Sequence, residues 1–371
     1  MSYFSRYRDY TPLWSDTSKP TSRRYVFIAL ALLTGSAILN VVLYSKLSHR
    51  WQVPLDNYQQ LNGQTILDSA FLSSFSQPDP RENAIVTSLY TDSFATAIAT
   101  LGHSLNKVNS TASRLLLYLP EKVSPRALCI ATSTGFVPHP ISRIPPPHGG
   151  RGVFWKFMDQ YSKLNIWTLS DFGIKAAVYL DADTLVLSNF DELFNLPYNF
   201  AAVPDVYVDG QGWSLSFNAG MLFLRPSRQV FEDMLSKIAT ASYNMHEAEQ
   251  SFLNHYYGAD VVRLPYAYNA NLAIKTRKQE VWADVKREAR IVHYTLVKPF
   301  LAEDDNSGKA VVEMRRMEAN AARKMSQYGG LFKEEVQDWL DVWLDMRRTF
   351  ADALVECSSH SASPPSPEAT S

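Results

Sequence analysis

The sequence Val178-Tyr-Leu-Asp-Ala-Asp-Thr-Leu-Val186 places two acids directly after a short apolar run, Ala176-Ala-Val-Tyr-Leu180. That run has the length and composition of a buried β-strand. Side chains two residues apart in extended backbone point to the same side, so the carboxylates of Asp181 and Asp183 are expected to share one face. In α/β sheets, ligands bind at the carboxyl ends of strands, which is where these acids stand.

The spacing of the two acids also predicts which ligand they hold. Two carboxylates that project into one crevice repel each other unless a cation lies beside them. Hard oxygen ligands of this kind select Mg²⁺ or Mn²⁺. An Asp-x-Asp triplet by itself is a weak signal, and the alternative is an exposed turn with two solvated acids. The apolar strand immediately before Asp181 favours the metal site.

The segments on either side alternate between strand-like and helix-like patterns. Short apolar runs predict strands at 83–88, 115–119, 176–180, 201–203, 221–224 and 290–292, and helical spacing predicts helices over 94–105 and 157–164. Strands that alternate with helices indicate an α/β fold with a mainly parallel sheet. Apolar residues at helical spacing between Val336 and Leu354 predict a C-terminal helix that packs on the main domain.

Length and composition restrict the class of protein. The chain has 371 residues, of which 46% are apolar and 20% charged, so it is expected to fold as one large domain or two smaller ones with tails. Lys and Arg number 36 against 37 Asp and Glu, and this balance argues against nucleic-acid binding. The two cysteines, Cys129 and Cys357, cannot build a disulfide framework, so we expect the core to hold the fold.

A membrane segment is predicted near the N-terminus. Residues 25–44 carry no charge and are numerous enough to span the hydrocarbon core as a helix. Basic residues are more frequent before this segment than just after it, so the positive-inside rule places the short N-terminus in the cytosol and everything after residue 45 across the membrane. An uncleaved anchor of type II orientation is therefore predicted, with a cleaved signal peptide as the competing interpretation.

With these motifs in order, the sequence from about Asn83 to Phe300 resembles glycosyltransferase family 8, the group that contains glycogenin and galactinol synthase. The resemblance implies a GT-A fold, a UDP-sugar donor, Mn²⁺ as the cofactor (with Mg²⁺ as the alternative) and transfer with retention of anomeric configuration. It also implies that Asp181, Asp183 and His293 are the metal ligands. An imidazole beside two carboxylates shifts the preference from Mg²⁺ toward Mn²⁺, in agreement with this assignment.

The resemblance also assigns residues to the substrates. Lys298 matches a lysine that binds the diphosphate, and Lys163 lies on the helix before the Asp-x-Asp strand, where an ammonium can counter phosphate charge. Glu249, part of an acidic-residue–Gln pair near the donor sugar, is the candidate catalytic residue. The full set of residues with implied substrate-binding roles is Thr87, Lys163, Asp205, Asn218, Gly220, Gln250 and Lys298.

Together these features predict a retaining transferase that moves a hexose from a UDP-sugar to a glycan, glycolipid or glycoprotein in the Golgi lumen. Two alternatives stay open. One is an N-acetylglucosaminyl- or glucuronosyltransferase of the same family, and the other is a catalytically silent, membrane-anchored protein that binds glycans or nucleotide sugars. Self-glucosylation is not expected, because the run after Asn269 has no tyrosine at the acceptor position. The sequence leaves the donor sugar and the choice between a covalent and a front-face route open.

The predicted organisation follows from these segments. It consists of a cytosolic tail (1–24), a transmembrane anchor (25–44), a polar stem (45–80), a GT-A catalytic domain (81–300), a helical extension (301–356) and a disordered tail (357–371).

Overall fold

The structure, a computed structural model, describes residues 21–48, 79–302 and 311–364. These residues belong to two units, an N-terminal helix and the rest of the described chain. Helix α1, Thr21–Ser48, contains the predicted anchor. Its span from Arg23 to Ser45 contains an 18-residue stretch with a mean hydropathy of 2.4 and is long and apolar enough to cross a membrane. Most of the predicted stem and the last residues of the predicted tail lie outside the described residues.

The second unit alternates strands and helices as the sequence predicts. Its strands are β1 Asn83–Leu89, β2 Ser113–Tyr118, β3 Val137–Pro140, β4 Ala176–Leu180, β5 Thr184–Val186, β6 Phe200–Val206, β7 Trp213–Leu224, β8 Val262–Arg263, β9 Ala270–Asn271 and β10 Ile291–His293. Its helices are α2 Ala95–Lys107, α3 Pro125–Thr132, α4 Arg228–Lys237, α5 Ala248–Tyr257, α6 Ala273–Arg277, α7 Gln279–Glu288, α8 Met317–Ser326, α9 Lys333–Thr349 and α10 Ala351–Cys357. A 3₁₀ helix, Gln160–Phe172, stands where a helix over 157–164 was predicted.

Two sheets organise the described part of this unit. The larger has seven strands in the order β3-β2-β1-β4-β7-β6-β8. Strand β1 runs parallel to β2 and β4, and β2 runs parallel to β3, whereas β7 is antiparallel to both β4 and β6. The α/β class with a mainly parallel sheet is therefore confirmed. The smaller sheet, β5-β10-β9, brings the end of β10 beside the turn that follows β4.

Burial explains why these strands can be recognised from the sequence. Strands β1 and β4 are buried along their whole length, and a strand covered on both faces is a continuous apolar run rather than an alternating one. Strand β7 is longer than the predicted 221–224, because its earlier residues pair with β6 before the later ones pair with both neighbours. The polar residues in that earlier part hide it from an apolar-run search.

The C-terminal extension packs on the core, but it is two helices rather than one. The chain leaves helical conformation at Phe350 (φ −111°, ψ 27°), which separates α9 from α10. Trp339 and Trp343 of α9 are buried in the hydrophobic core, as their spacing predicts. Together with α8, the two helices form the extension that the sequence assigns to residues 301–356.

A disulfide corrects the expectation that the core alone holds the fold. Cys129 in α3 and Cys357 at the end of α10 are bonded, with their Cα atoms 5.5 Å apart. Cys357 therefore closes a helix and does not begin a disordered tail. Beyond it, the carbonyl of Ser361 accepts a hydrogen bond from the backbone N–H of Arg126 at 3.0 Å. Two cysteines are too few for a framework, but one pair is enough to tie the extension to the main domain.

Candidate active site

The turn between β4 and β5 holds Asp181 and Asp183. The backbone N–H of Asp181 donates to the carbonyl of Gly220 at 2.8 Å, and its own carbonyl accepts from the N–H of Thr184 at 3.1 Å. Because His293 of β10 pairs with Thr184 of β5, its ring lies next to this turn. The ring Nε2 is 3.2 Å from Asp183 Oδ1 and 3.9 Å from Asp181 Oδ2.

These three side chains have the geometry of a metal site. One ligand atom from each of Asp181, Asp183 and His293 lies within 4.8 Å of the others. Two carboxylate oxygens and one imidazole nitrogen suit Mn²⁺ or Mg²⁺. Asp183 and His293 are buried whereas Asp181 is half-buried, so the cluster is more open on the side of Asp181. The convergence predicted from the sequence is confirmed, and the residues present fit a divalent cation.

Lys298 lies at this cluster, as the family resemblance implies. Its ammonium donates to Asp183 Oδ2 and to the carbonyl of Tyr294, the latter at 3.2 Å. Burial alone would raise the pKa of Asp183, but Lys298 and His293 outweigh it and hold the pKa well below the usual range. A diphosphate bound at the cluster would lie beside the Lys298 ammonium, which can donate charge-assisted hydrogen bonds to it.

Lys163 joins the metal cluster to Glu249. Its side chain is only 2% exposed, and its Nζ lies 2.7 Å from Glu249 Oε1 and 3.2 Å from Asp181 Oδ1. Burial opposes the charge of Lys163, yet Asp181 and Glu249 outweigh that cost and raise its pKa. Burial also raises the pKa of Glu249, although Lys163 acts in the opposite direction. Here the ammonium lies between two carboxylates, whereas the resemblance implies a role as a counter-charge for phosphate.

Two polar residues of the main sheet that were not predicted from the sequence, Ser88 and Tyr179, form a hydrogen-bonded path to Asp181. Ser88 Oγ lies 2.8 Å from the hydroxyl of Tyr179, which donates to Asp181 Oδ1 at 2.8 Å. The Lys163 ammonium stands 4.7 Å from the centroid of the Tyr179 ring. Both residues stand near the carboxyl ends of neighbouring parallel strands, and this placement was the signal that would have found them.

Thr87 does not join this network. It is fully buried in β1, and its Oγ1 has no hydrogen-bond partner in the part of the chain that the structure describes. A buried hydroxyl without a partner is uncommon in folded proteins. Its assignment to the nucleotide pocket therefore stays a prediction.

A second cluster is centred on the buried carboxylate of Asp205. It accepts hydrogen bonds from Asn218 at 3.3 Å, Gln250 at 3.1 Å and Asn271 at 3.2 Å. Burial raises the pKa of Asp205, while the hydrogen bonds to its carboxylate act in the opposite direction. Gln250 Oε1 in turn accepts the backbone N–H of Ala219 at 2.9 Å. Three of the residues with implied substrate-binding roles, Asp205, Asn218 and Gln250, are thus brought together.

Gly220 lies between the two clusters. A Cβ at this position would stand 2.2 Å from Cε1 of His293 and 2.8 Å from Oδ1 of Asn218. The family resemblance implies a substrate-binding role for this glycine, whose missing side chain would let the backbone approach a ligand closely. In the structure the group that approaches closely is the imidazole of His293.

Backbone strain is found directly before Glu249. Ala248 is fully buried and has φ 49° and ψ −127°, a conformation that residues with a Cβ rarely adopt. It begins α5, whose first turn carries Glu249 and Gln250. Strained backbone of this kind persists where surrounding packing determines it, and it concentrates at functional sites.

Comparisons with known proteins agree with this geometry. Residues 155–303, which contain both metal-site segments, match the family described as glycosyl transferase family 8. This part of the chain is therefore similar to the glycosyltransferases of family 8. The mainly parallel sheet described above is the α/β architecture expected with the predicted GT-A class.

Three curated relatives illustrate the range of the family. The chain is 29% identical over 235 residues to inositol phosphorylceramide glucuronosyltransferase 1 of Arabidopsis thaliana, a match that covers 57% of this chain and 41% of that protein. It is 24% identical to a glycogenin of Neurospora crassa, covering 57% of this chain and 30% of the relative. It is 35% identical to galactinol synthase 1 of Solanum lycopersicum, covering 36% and 46%. The chain therefore spans less than half the length of each.

Proposed function

We propose that this protein is a retaining glycosyltransferase that moves a hexose from a UDP-sugar to a glycan, glycolipid or glycoprotein, with Mn²⁺ as its cofactor. The observation that carries the proposal is the convergence of Asp181, Asp183 and His293, with their ligand atoms within 4.8 Å of one another. The Lys298 ammonium on Asp183 adds a cation at the place where a diphosphate would bind.

The charge around the second cluster favours a neutral donor sugar. Lys163 is already shared by two carboxylates, those of Asp181 and Glu249. Asp205 adds a further buried carboxyl group nearby, which is linked to Gln250. A glucuronate would bring another carboxylate into this acidic surrounding, where it would be repelled. We therefore place hexose transfer ahead of glucuronate transfer, although the first of the three relatives above is named a glucuronosyltransferase.

The residues of the proposed site have separate roles in the transfer reaction. A bound divalent cation would neutralise charge on the diphosphate. When the bond between the anomeric carbon and the diphosphate oxygen breaks, its electron pair stays on that oxygen, and the Lys298 ammonium stabilises the charge. Glu249 provides the carboxylate for the developing oxocarbenium ion. In a front-face route the acceptor hydroxyl bonds to the carbon and passes its proton to the departing diphosphate. In a covalent route Glu249 bonds to the carbon as the diphosphate leaves, and the acceptor hydroxyl then displaces Glu249 from the carbon and passes its proton to the departed diphosphate.

We further place the catalytic domain in the lumen of the Golgi, anchored by α1. Support comes from the charge asymmetry around the apolar segment, which favours type II orientation. The bond between Cys129 and Cys357 adds support, because disulfides persist in oxidising compartments such as the secretory pathway.

The test is UDP release by the full chain in detergent, with UDP-glucose, UDP-galactose, UDP-N-acetylglucosamine and UDP-glucuronate. We expect release with a neutral hexose donor in Mn²⁺ and loss of release in EDTA. Asp183→Ala should lower the rate by about two orders of magnitude or more, since it removes a metal ligand. Asp284→Ala, a matched change of an exposed acid in α7 that pairs with Arg287, should leave the rate unchanged.

The outcomes separate the alternatives. Release that is insensitive to EDTA would contradict the metal-dependent mechanism. UDP binding without turnover of any donor would favour a catalytically silent binding protein.

A further inference from the structure

A series of hydrogen-bonded side-chain amides begins at Nδ1 of His293, the ring nitrogen that does not face the two aspartates. The ring Nδ1 lies 3.1 Å from Asn269 Oδ1, and Asn269 Nδ2 donates to Asn218 Oδ1 at 3.0 Å. The same Asn218 oxygen accepts the backbone N–H of Gly220 at 3.0 Å. Asn269 is 1% exposed and His293 3% exposed, so water does not compete for these contacts. The metal cluster and the Asp205 cluster are joined through this series.

The backbone N–H of Gly220 determines which group donates and which accepts in each hydrogen bond of this series. Because the N–H of Gly220 can only donate, the atom of Asn218 that faces it must be the oxygen. The Asn218 amide nitrogen then faces Asp205, which as a carboxylate accepts. Since Asn218 presents an oxygen to Asn269, Asn269 must present its NH₂ group there and its own oxygen to His293. An amide oxygen only accepts, so Nδ1 of the ring carries a proton.

We propose that Asn269 is a positioning residue that sets the tautomer of His293. With the proton on Nδ1, the lone pair of the neutral ring is on Nε2, the nitrogen that faces Asp181 and Asp183. A histidine that binds a metal needs that lone pair, and the partner of its other nitrogen selects which nitrogen supplies it. The inference rests on the proposed metal site, to which Asn269 itself contributes no ligand atom.

An amide suits this position better than a carboxylate. It accepts from His293 with one end and donates to Asn218 with the other, so both buried neighbours are satisfied. A carboxylate would still accept from the ring, but it would place an oxygen against the oxygen of Asn218. Asn269→Asp therefore keeps the bond that sets the tautomer and loses the link to the second cluster. Asn269→Leu, of similar size, removes both.

The first measurement reads the tautomer without any metal. In the metal-free full chain with ¹⁵N-labelled histidine, at an alkaline pH where the imidazole ring is neutral, ring nitrogen shifts distinguish a protonated from an unprotonated Nδ1. His293→Gln identifies the His293 signals by their disappearance. We expect a protonated Nδ1 in the wild type and in Asn269→Asp, and a shift of the proton toward Nε2 in Asn269→Leu. An unprotonated Nδ1 in the neutral ring of the wild type would overturn the proposal.

The second measurement is Mn²⁺ affinity, followed by the EPR signal of free Mn²⁺. Loss of an outer partner of a ligating histidine weakens metal binding by about 10–100-fold. We expect Asn269→Leu to weaken it within that range and Asn269→Asp to lie closer to the wild type. The control is Asn189→Leu, which removes an amide that donates to the carbonyl of Val108 at 3.2 Å outside both clusters. It should bind Mn²⁺ as the wild type does.

Thermal denaturation of each variant establishes that it is folded. A folded Asn269→Leu protein with wild-type Mn²⁺ affinity would overturn the proposal. If the wild type itself bound no Mn²⁺, the proposed metal-dependent function would fail, and the ring shifts would still decide whether Asn269 sets the tautomer.

Discussion

Gly220 shows how a residue without a side chain shapes the site. Its missing Cβ leaves the space that the imidazole of His293 occupies, and its carbonyl accepts the backbone N–H of Asp181. One position therefore holds the backbone of Asp181 and makes room for the ring of His293, two residues of the proposed metal site. A substitution at this position would affect the metal cluster without removing any ligand.

We accordingly expect Gly220→Ala to weaken Mn²⁺ binding by about tenfold or more, because the methyl group displaces the His293 ring. Overpacking of this kind also lowers the free energy of unfolding by about 1–3 kcal/mol. Isothermal titration with Mn²⁺ and urea denaturation measure the two effects. Gly210→Ala is the matched control, since a Cβ there meets nothing within 4 Å. Equal Mn²⁺ affinities in the two variants would contradict this role of Gly220.

The sequence reveals individual site residues only where they belong to a local pattern. Asp181 and Asp183 follow an apolar run directly, and His293 ends a short apolar strand, so motif spacing finds them. Asn269 and Tyr179 form hydrogen bonds with residues that are distant in the sequence, Asn218 and Ser88 respectively. Their partners are set by strand pairing, which the sequence does not encode locally.

Among the elements, α5 has the most unusual beginning. Ala248 enters the helix with positive φ, and the next two residues reach Lys163 and Asp205 respectively. Strain of this kind costs about 1–3 kcal/mol and is maintained by the surrounding packing. The arrangement fixes the direction in which the first turn of α5 presents its polar side chains.

Ala248→Gly should therefore stabilise the protein, by about 1 kcal/mol, because glycine adopts positive φ without a Cβ penalty. The change normally destabilises a helix, and Ala321→Gly in the buried part of α8 should cost about 0.5–1 kcal/mol. Chemical denaturation of both variants gives the comparison. The same loss of stability in both would show that Ala248 is not strained.

Elements differ in how well the sequence predicts them. Strands β1 and β4 were found because burial on both faces leaves an uninterrupted apolar run. The early part of β7 was missed because its pairing with β6, rather than its composition, makes it a strand. The break at Phe350 was missed for a related reason, since the apolar spacing continues across it while the backbone does not.

At the scale of the whole molecule, the bond between Cys129 and Cys357 joins the C-terminal extension to α3. The two residues are 228 positions apart, so their pairing is a consequence of the tertiary fold. Trp339 and Trp343 already bury one side of the extension in the core. The disulfide adds a covalent constraint at its far end, and this mainly limits the freedom of the unfolded chain.

Reduction should lower the stability of the protein by about 2–5 kcal/mol. The double variant Cys129→Ser/Cys357→Ser should show the same loss without any reductant and no further response to one. Thermal melts of both proteins, with and without a thiol, measure this. A wild-type melting temperature that is indifferent to the thiol would contradict a stabilising disulfide.

The same bond closes a covalent ring that contains most of the predicted catalytic domain. Residues 129–357 include Lys163, both aspartates of the metal cluster, Glu249 and His293. One protease cut anywhere inside this ring opens it without separating the pieces, which stay attached through the sulfur atoms. A nicked protein would therefore migrate as a single chain on a gel until a thiol is added, and only then as two fragments.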